Sequence, residues 1–317
     1  VNERKLHVIF GAGQIGTPLA KLLRERGQSV RIVRRAGAGP EGVEVRHGDA
    51  GDPAFATEAA RGAAVVYHCM NPVYDARVWA RELPRLLDSL IHAAGRAGAK
   101  LVVLDNVYML GRPREKPLSE DSPIAPASKK GEIRAKMNDR LFEAHRRGDV
   151  RATCGRASDF YGPGGNATYF GDALWPNALR KGLAQMPMNP DTPHTYHYTL
   201  DVAAGLATLG DAADDVTGRW WMLPCAPADT SRAMVDRFGR VLGRPLEVKR
   251  LPKAMMAIAA LFTPILREIL EMAYQWDEAF VIDDLRFRER FNPVVTPLDE
   301  GARATVEWAT RKYGGSS

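Results

Sequence analysis

Cysteine is scarce in this chain. The three in 317 residues, Cys69, Cys154 and Cys225, stand far apart with no C-x-x-C pair. That spacing excludes a disulfide scaffold, a zinc knuckle and a dithiol redox motif, and no metal site is expected. Few thiols and no framework fit a reducing compartment, with the cytoplasm as the expected location. Long apolar runs are missing as well. The longest uncharged one, Ala254 to Leu266, is shorter than the roughly 18 residues a membrane span needs and contains Pro264, so no membrane partner is expected. Val-Asn-Glu-Arg-Lys leads directly into a strand pattern without an apolar signal core, which leaves Asn166-Ala-Thr a glycosylation match without a secretory context. No repeat of fixed period and no low-complexity tract is visible. Acids are slightly outnumbered, 38 Asp+Glu against 44 Lys+Arg for a net +6, but the bases are dispersed and interleaved with acids, as in Arg286-Phe-Arg-Glu-Arg. No nucleic-acid partner is expected from such a distribution.

What is present is an ordinary globular composition, 45% hydrophobic and 26% charged. Lys5 to Phe10 is a short apolar run. Ile15, Leu19, Leu22 and Leu23 then recur at helical spacing within Gln14 to Arg26. Further strands are expected at Ser29 to Val33, Val43 to Arg46, Ala64 to Cys69, Leu101 to Leu104 and Val150 to Ala157. Helical patterns cover Val73 to Ala97, with Pro84 beginning or kinking the main helix, and Lys129 to Arg146. Alternating strands and helices imply parallel β-α-β units, hence an α/β doubly wound Rossmann sheet over residues 1–161. Gly162-Pro-Gly-Gly opens a segment rich in aromatics, Pro and Met, and helices are expected at Arg232 to Leu242, Ala254 to Tyr274 and Leu298 to Lys312, with little strand after Met222. Residues 162–317 therefore read as a smaller, mostly helical substrate-binding region, partly interleaved with the sheet.

Gly11-Ala-Gly13-Gln14-Ile15-Gly16 matches G-x-G-x-x-G between a strand and a helix. There the first glycine makes the turn, the second admits a pyrophosphate and the third lets helix pack on strand. An NAD site wants an acid at the end of the second strand; here Arg34-Arg35 stand there, and guanidinium groups suit a 2′-phosphate, which favours NADP(H). Asp49, after the third strand, is placed either near the adenine amino group or as a cap on the following helix.

From these residues onward the chain resembles the extended and atypical short-chain dehydrogenases/reductases, in particular NAD-dependent epimerase/dehydratase-like proteins. The resemblance rests on 11–16, Gly48-Asp49, Tyr67-His68-Cys69-Met70-Asn71, Arg156-Ala-Ser-Asp-Phe-Tyr161-Gly-Pro163 and His197-Tyr-Thr-Leu-Asp201-Val-Ala. It implies the same fold, a bound dinucleotide contacted by Met70 and Asn71 too, and a homodimer pairing through helices around 84–98 and 129–146. It also implies a Ser or Thr after the fifth strand and a Tyr-x-x-x-Lys on the next helix, the tyrosine moving the proton. In this sequence Asn106 takes the serine slot, Lys130 the tyrosine slot and Arg134 the lysine slot. Lys130 then reads as a ribose or phosphate anchor, as an unusual acid with its pKa lowered by Arg134, as a charge stabilising an enolate, or as a solvated helix start. Tyr108 and Tyr161 are other phenols within reach, and His194 and His197 without a carboxylate make a poor metal site. Cys154 reads as a small core hydrophobe.

Three functions remain open: an NADP(H)-dependent oxidoreductase reducing a carbonyl or polarised C=C of a small apolar molecule, an epimerase or dehydratase holding NAD(P) on a sugar-nucleotide-like substrate, and a non-catalytic redox sensor. For the first, Trp175, Met186, Met188, Trp220, Trp221 and Met222 are the candidate apolar lining, although as a set they suit a core equally.

Overall fold

The computed structural model describes residues 4–113, 117–166 and 168–315. The first half runs β1 (Leu6–Phe10), α1 (Gly16–Glu25), β2 (Ser29–Arg34), β3 (Glu44–His47), α2 (Pro53–Ala60), β4 (Val65–His68), α3 (Ala76–Ala97), β5 (Lys100–Asn106), α4 (Lys129–Arg146) and β6 (Arg151–Ala157). The rest runs β7 (Asp159–Tyr161), α5 (Trp175–Lys181), β8 (Leu183–Pro187), β9 (Pro193–His194), β10 (Tyr196–Tyr198), α6 (Thr199–Asp211), β11 (Trp220–Met222), β12 (Asp229–Thr230), α7 (Ser231–Leu242) and β13 (Glu247–Leu251). It ends with α8 (Lys253–Ala259), α9 (Pro264–Glu271), α10 (Tyr274–Asp277), α11 (Leu285–Phe291) and α12 (Leu298–Tyr313).

Seven strands pair in the order β11-β6-β5-β4-β1-β2-β3, all parallel. Period-two alternation sends Val8 and Phe10 to one face, against α2, α3 and α4, and Ile9 to the other, against α1, α6 and α11. Both faces are therefore buried, as a parallel sheet requires. Chain order reverses between β1 and β4, so their carboxyl ends splay apart into a crevice, the usual ligand position in such sheets.

Local chemistry sets the helix starts. Asp52 accepts from Ala54 N–H and Phe55 N–H to cap α2, Asp75 accepts from Arg77 and Val78 to cap α3, and Ser128 accepts from Gly131 to cap α4. Pro84 does not end or begin the helix expected around it. It sits inside α3, where the buried face of Trp79, Leu83, Leu86, Leu87 and Leu90 outweighs one missing backbone hydrogen bond. The helix expected over Ala254 to Tyr274 is three pieces, because Pro264 lacks the N–H a continuing helix needs and opens α9 instead.

Residues beyond 161 both complete the sheet and build a second core. α6 covers one sheet face and β11 adds its last strand, whereas Phe170, Trp175, Met186, Met234, Phe238 and Val306 pack together apart from it. Three of the expected lining residues are thereby accounted for otherwise: Trp175 and Met186 are fully buried in that second core, and Trp221 belongs to the sheet core. Cys154 is buried in β6, where burial pushes its thiol up to about 12.

Candidate active site

The turn after β1 is shaped by contacts that only glycine permits. Gly11 has φ +108°, and a Cβ there would stand 2.7 Å from the Cys69 carbonyl oxygen at the end of β4. A Cβ on Gly16 would meet the Gly11 carbonyl oxygen at 1.8 Å, so α1 reaches the turn only because that side chain is absent. Gly13, in contrast, has open space where its Cβ would be. Gln14 and Ile15 complete the turn, and Ile15 leads into α1 with no side-chain cap; Thr17 N–H already donates to the Gly13 carbonyl, so the amides before it are the ones that can meet an external acceptor. Bared amides, an open glycine and the β1–β4 crevice fit a pyrophosphate.

Arg34 and Arg35 end β2. Arg34 donates through Nη1 to the Ala38 carbonyl in its own loop, its Nε is buried without a partner, and Arg35 is exposed. Neither makes an ion pair among the described residues. Asp49 is engaged elsewhere: both its oxygens accept from Arg85, at 2.8 and 3.3 Å, and one also accepts from Gly51 N–H. Arg85 beside it holds its carboxyl below the usual range. Asp52, not Asp49, caps the next helix.

The carboxyl ends of β4, β5 and β6 carry a buried charge network. Asp105 is paired with Arg134 at 2.9 Å and with Arg156 at 3.0 Å; Arg134 also donates to Asn71 Oδ1, and Arg156 to Asn138 Oδ1 and the Asn106 carbonyl. Arg134 lies over the Trp79 ring, 4.3 Å from its centroid. A cavity of about 20 Å³ among these groups leaves space for little more than one water. Thus the residue in the family's lysine slot is a structural cation. Compensated by Asp105, it is a weak source of the like-charge repulsion on Lys130 that the sequence suggested. His68, at the end of β4, is held neutral: burial first, then Arg134, lowers its pKa to about 4.

Lys130 is not a solvated helix start. Its side chain is completely buried, with Nζ 2.5 Å from both Glu268 Oε2 and Glu271 Oε2, 3.2 Å from the Glu268 carbonyl, and 4.9 Å from the Tyr74 ring centroid. Three N–H groups facing three acceptors leave none for a ribose unless α9 releases it. The next residue must be glycine, since a Cβ on Gly131 would come within 2.6 Å of the Tyr108 carbonyl oxygen. That contact is what draws the start of α4 onto the loop after β5.

Asn106 Oδ1 accepts from the Tyr108 backbone N–H at 3.0 Å and fixes that loop. The Tyr108 hydroxyl lies 3.4 Å from that of Tyr74, and burial, then the Asp159 charge, pushes the Tyr108 phenol up to about 12. Asp159 follows the Arg156 motif and lies 3.1 Å from His194 Nε2 while accepting from Trp276 Nε1. His194 Nδ1 is 3.0 Å from the Gln275 carbonyl, which accepts only, so Nδ1 carries a proton. Nε2 faces the Asp159 carboxylate across that 3.1 Å without a well-formed hydrogen bond among the described residues. Gln275 is fully buried beside Tyr108, and among the described residues neither polar atom of its side chain makes a well-formed hydrogen bond. Met188, Met222, Tyr274 and Trp276 pack around this region, which leaves Met188 and Met222 as the members of the expected lining nearest to it. Trp220 lies by Arg156.

The sequence names Tyr108 and Asn106 as candidates but not the Tyr74, Asp159, Gln275, Glu268 and Glu271 that the fold gathers near them. Asp159 was inside a quoted motif; the glutamates, more than 130 residues from Lys130, carry no local signal. Tyr161 and His197 are structural. Tyr161 packs in the second core, and His197 accepts from Ser158 N–H and donates to the Leu223 carbonyl, with burial lowering it to about 4.

A glycine turn at the switch point of a 3-2-1-4-5-6 sheet, with chemistry gathered at the ends of β4 to β6, defines a dinucleotide-binding enzyme fold of the extended short-chain dehydrogenase/reductase kind. A family model for the NAD dependent epimerase/dehydratase family matches residues 8–219, and the chain belongs to that family. Among solved structures it is similar to the Bordetella bronchiseptica enzyme WbmH in complex with NAD+ (TM-score 0.73, 19% identity, 98% of this chain and 100% of that one). It is also similar to a UDP-glucose 4-epimerase (0.77, 17%, 98% and 99%) and to dTDP-glucose 4,6-dehydratase from Bacillus anthracis in complex with NAD (0.79, 12%, 98% and 98%). At these identities the likeness is one of fold. A search of curated proteins by sequence finds no match.

Proposed function

We propose that this protein binds a nicotinamide dinucleotide across the β1–β4 crevice and acts by epimerase/dehydratase-type chemistry on a hydroxyl- or carbonyl-bearing carbon held beside Tyr108. The observation that carries this reading is the glycine turn, whose closed contacts at Gly11 and Gly16 and open space at Gly13 fit a pyrophosphate on the start of α1. When bound, the dinucleotide supplies and takes up hydride. The likeness to UDP-glucose 4-epimerase and dTDP-glucose 4,6-dehydratase favours a sugar-nucleotide-like substrate.

The chain's own groups then divide the work. Tyr108, its phenol raised to about 12, holds the substrate oxygen: it gives its proton as a carbonyl is reduced, and its phenolate takes one as a hydroxyl is oxidised. The buried Gln275 amide supplies further hydrogen bonds to a polar substrate group. Lys130 positions α9 and does not touch substrate.

A second reading, an NADP(H)-dependent reductase of a small apolar carbonyl or enone, is favoured by two observations. Arg34 and Arg35 make no ion pair among the described residues, and a phenol with a raised pKa suits giving a proton better than taking one. The test is a titration with NAD+, NADH, NADP+ and NADPH, followed by incubation with UDP-glucose or dTDP-glucose and, separately, with a carbonyl and enone panel. Sugar-nucleotide conversion without net change in dinucleotide absorbance supports the first reading. NADPH consumption on the panel supports the second. Binding of one redox form without turnover leaves a sensor, and no binding at all ends every version.

A further inference from the structure

Residues 248–267 contain Lys249, Arg250, Lys253 and Arg267 and no acid. They form the end of β13, α8, a turn and the start of α9, two helices too short to cross a bilayer; among the described residues no helix is long and apolar enough to do so. The hairpin has two apolar faces. Met256 and Ala260 point inward, and Leu266, Ile269 and Leu270 pack half-buried on the cluster around Met272 and Trp276. The other face lies in water: Met255 is 59% exposed, Ile258 65%, Leu261 73%, Phe262 84% and Ile265 44%. Met255 and Ile258, three apart, share one side of α8, and Leu261 and Phe262 form the tip. Isolated exposed apolar residues need no explanation, but five on one hairpin mark an interaction surface.

The charge around this tip says what covers it. Lys249 and Lys253 are paired with Glu247 and Asp277, whereas Arg250 and Arg267 are exposed and make no ion pair among the described residues. An apolar tip whose unpaired rim charges, Arg250 and Arg267, are both basic matches acyl chains beneath anionic headgroups. A second copy of the chain matches it poorly, because a two-fold contact sets the same basic rims against each other. We propose that the α8–α9 hairpin docks this protein on an anionic lipid bilayer, with Leu261 and Phe262 inserted and Arg250 and Arg267 at the headgroups. The absence of a spanning segment does not count against this, since an interfacial anchor enters only the outer part of one leaflet. The same hairpin carries Glu268, which holds both Lys130 and the Ala76 amide, so the docked element is continuous with one wall of the candidate site. The inference does not depend on which reaction occurs there.

Flotation of the whole chain with phosphatidylcholine vesicles, with and without phosphatidylglycerol, tests it at low and high salt. The wild type should float with the anionic vesicles at least roughly tenfold better than Leu261→Asp/Phe262→Asp, and less well at high salt. Arg250→Glu/Arg267→Glu should lose the charge-dependent part, and unchanged thermal transitions would show that both variants fold. A Phe262→Trp variant gives an independent readout: bromine-labelled lipid should quench it more than the wild type. Wild type remaining in the aqueous phase, flotation unaffected by the aspartates, or unchanged quenching would overturn the proposal. So would a wild-type dimer that the aspartate variant splits without any vesicle binding, which would make the hairpin a contact between copies.

Discussion

The ends of β1 and β5 lie in one sheet, yet one carries the glycine pattern the resemblance implies and the other, read in the slots that resemblance assigns, does not carry Ser, Tyr and Lys. At β1 the glycines are dictated by backbone contacts of 1.8 and 2.7 Å that any side chain would violate. At β5 and α4 the slots expected to hold Ser, Tyr and Lys hold Asn106, Lys130 and Arg134, each committed to neighbouring protein atoms. A cofactor cradle is constrained by the shape of the ligand and the closeness of backbone to backbone. Proton-moving groups are constrained only by position and acidity, so a different set of side chains can meet the same need.

The sharpest test of that contrast is Tyr108→Phe. If the phenol has taken over the proton, turnover should fall by roughly 10²–10⁴ while dinucleotide affinity, set at β1, is unchanged. Lys130→Met should act first on stability, because it leaves Glu268 and Glu271 facing an apolar side chain; full stability with lost turnover would return Lys130 to the chemistry. Asp105→Ala is next in size. Removing the one carboxylate between Arg134 and Arg156 leaves two buried cations, at a cost of about 3–5 kcal/mol in denaturant unfolding, and a loss below about 1 kcal/mol would mean the network is not the support of the site.

Acid should find the same weakness. His68 and His197 are neutral in the fold, with pKa values lowered to about 4, but take up a proton in the unfolded chain near pH 6.5. Their contribution is therefore present above about pH 6.5 and is lost as the pH falls toward 4, on the order of 2–3 kcal/mol each. Stability measured from pH 7 to 4.5 in the wild type and in His197→Gln should show the variant losing less. The smallest effect belongs to the cofactor's far end: Arg35→Ala should weaken NADPH by roughly tenfold, about 1.4 kcal/mol for a partly solvated contact, and leave NADH unchanged. Equal affinity of the wild type for both would remove the 2′-phosphate reading.

Patterns within about 20 residues were enough to reveal the glycine turn, the Asp201 helix start and the alternation that buries both sheet faces. Asp201, for instance, sits in the first turn of α6, where its carboxylate accepts from Thr296. Pro84 does not begin its helix, because a local rule against proline in helices is weaker than the burial of α3's apolar face. Trp175, Trp221 and Met186 lie in cores: apolar residues suited to a pocket are equally suited to a core, and composition does not tell the two apart.

The sequence by itself determined the β-α-β sheet and the glycine turn after β1, because each depends on neighbours close along the chain. Only the tertiary structure decided which charged and polar groups gather beside that turn. The pairing of Lys130 with Glu268 and Glu271, of Asp105 with Arg156, and of Asp159 with His194 joins groups 35 to 141 residues apart. The charges of the first two pairs are stable in the interior only because folding brings each to its counter-charge as it removes water, and no local pattern records that coincidence.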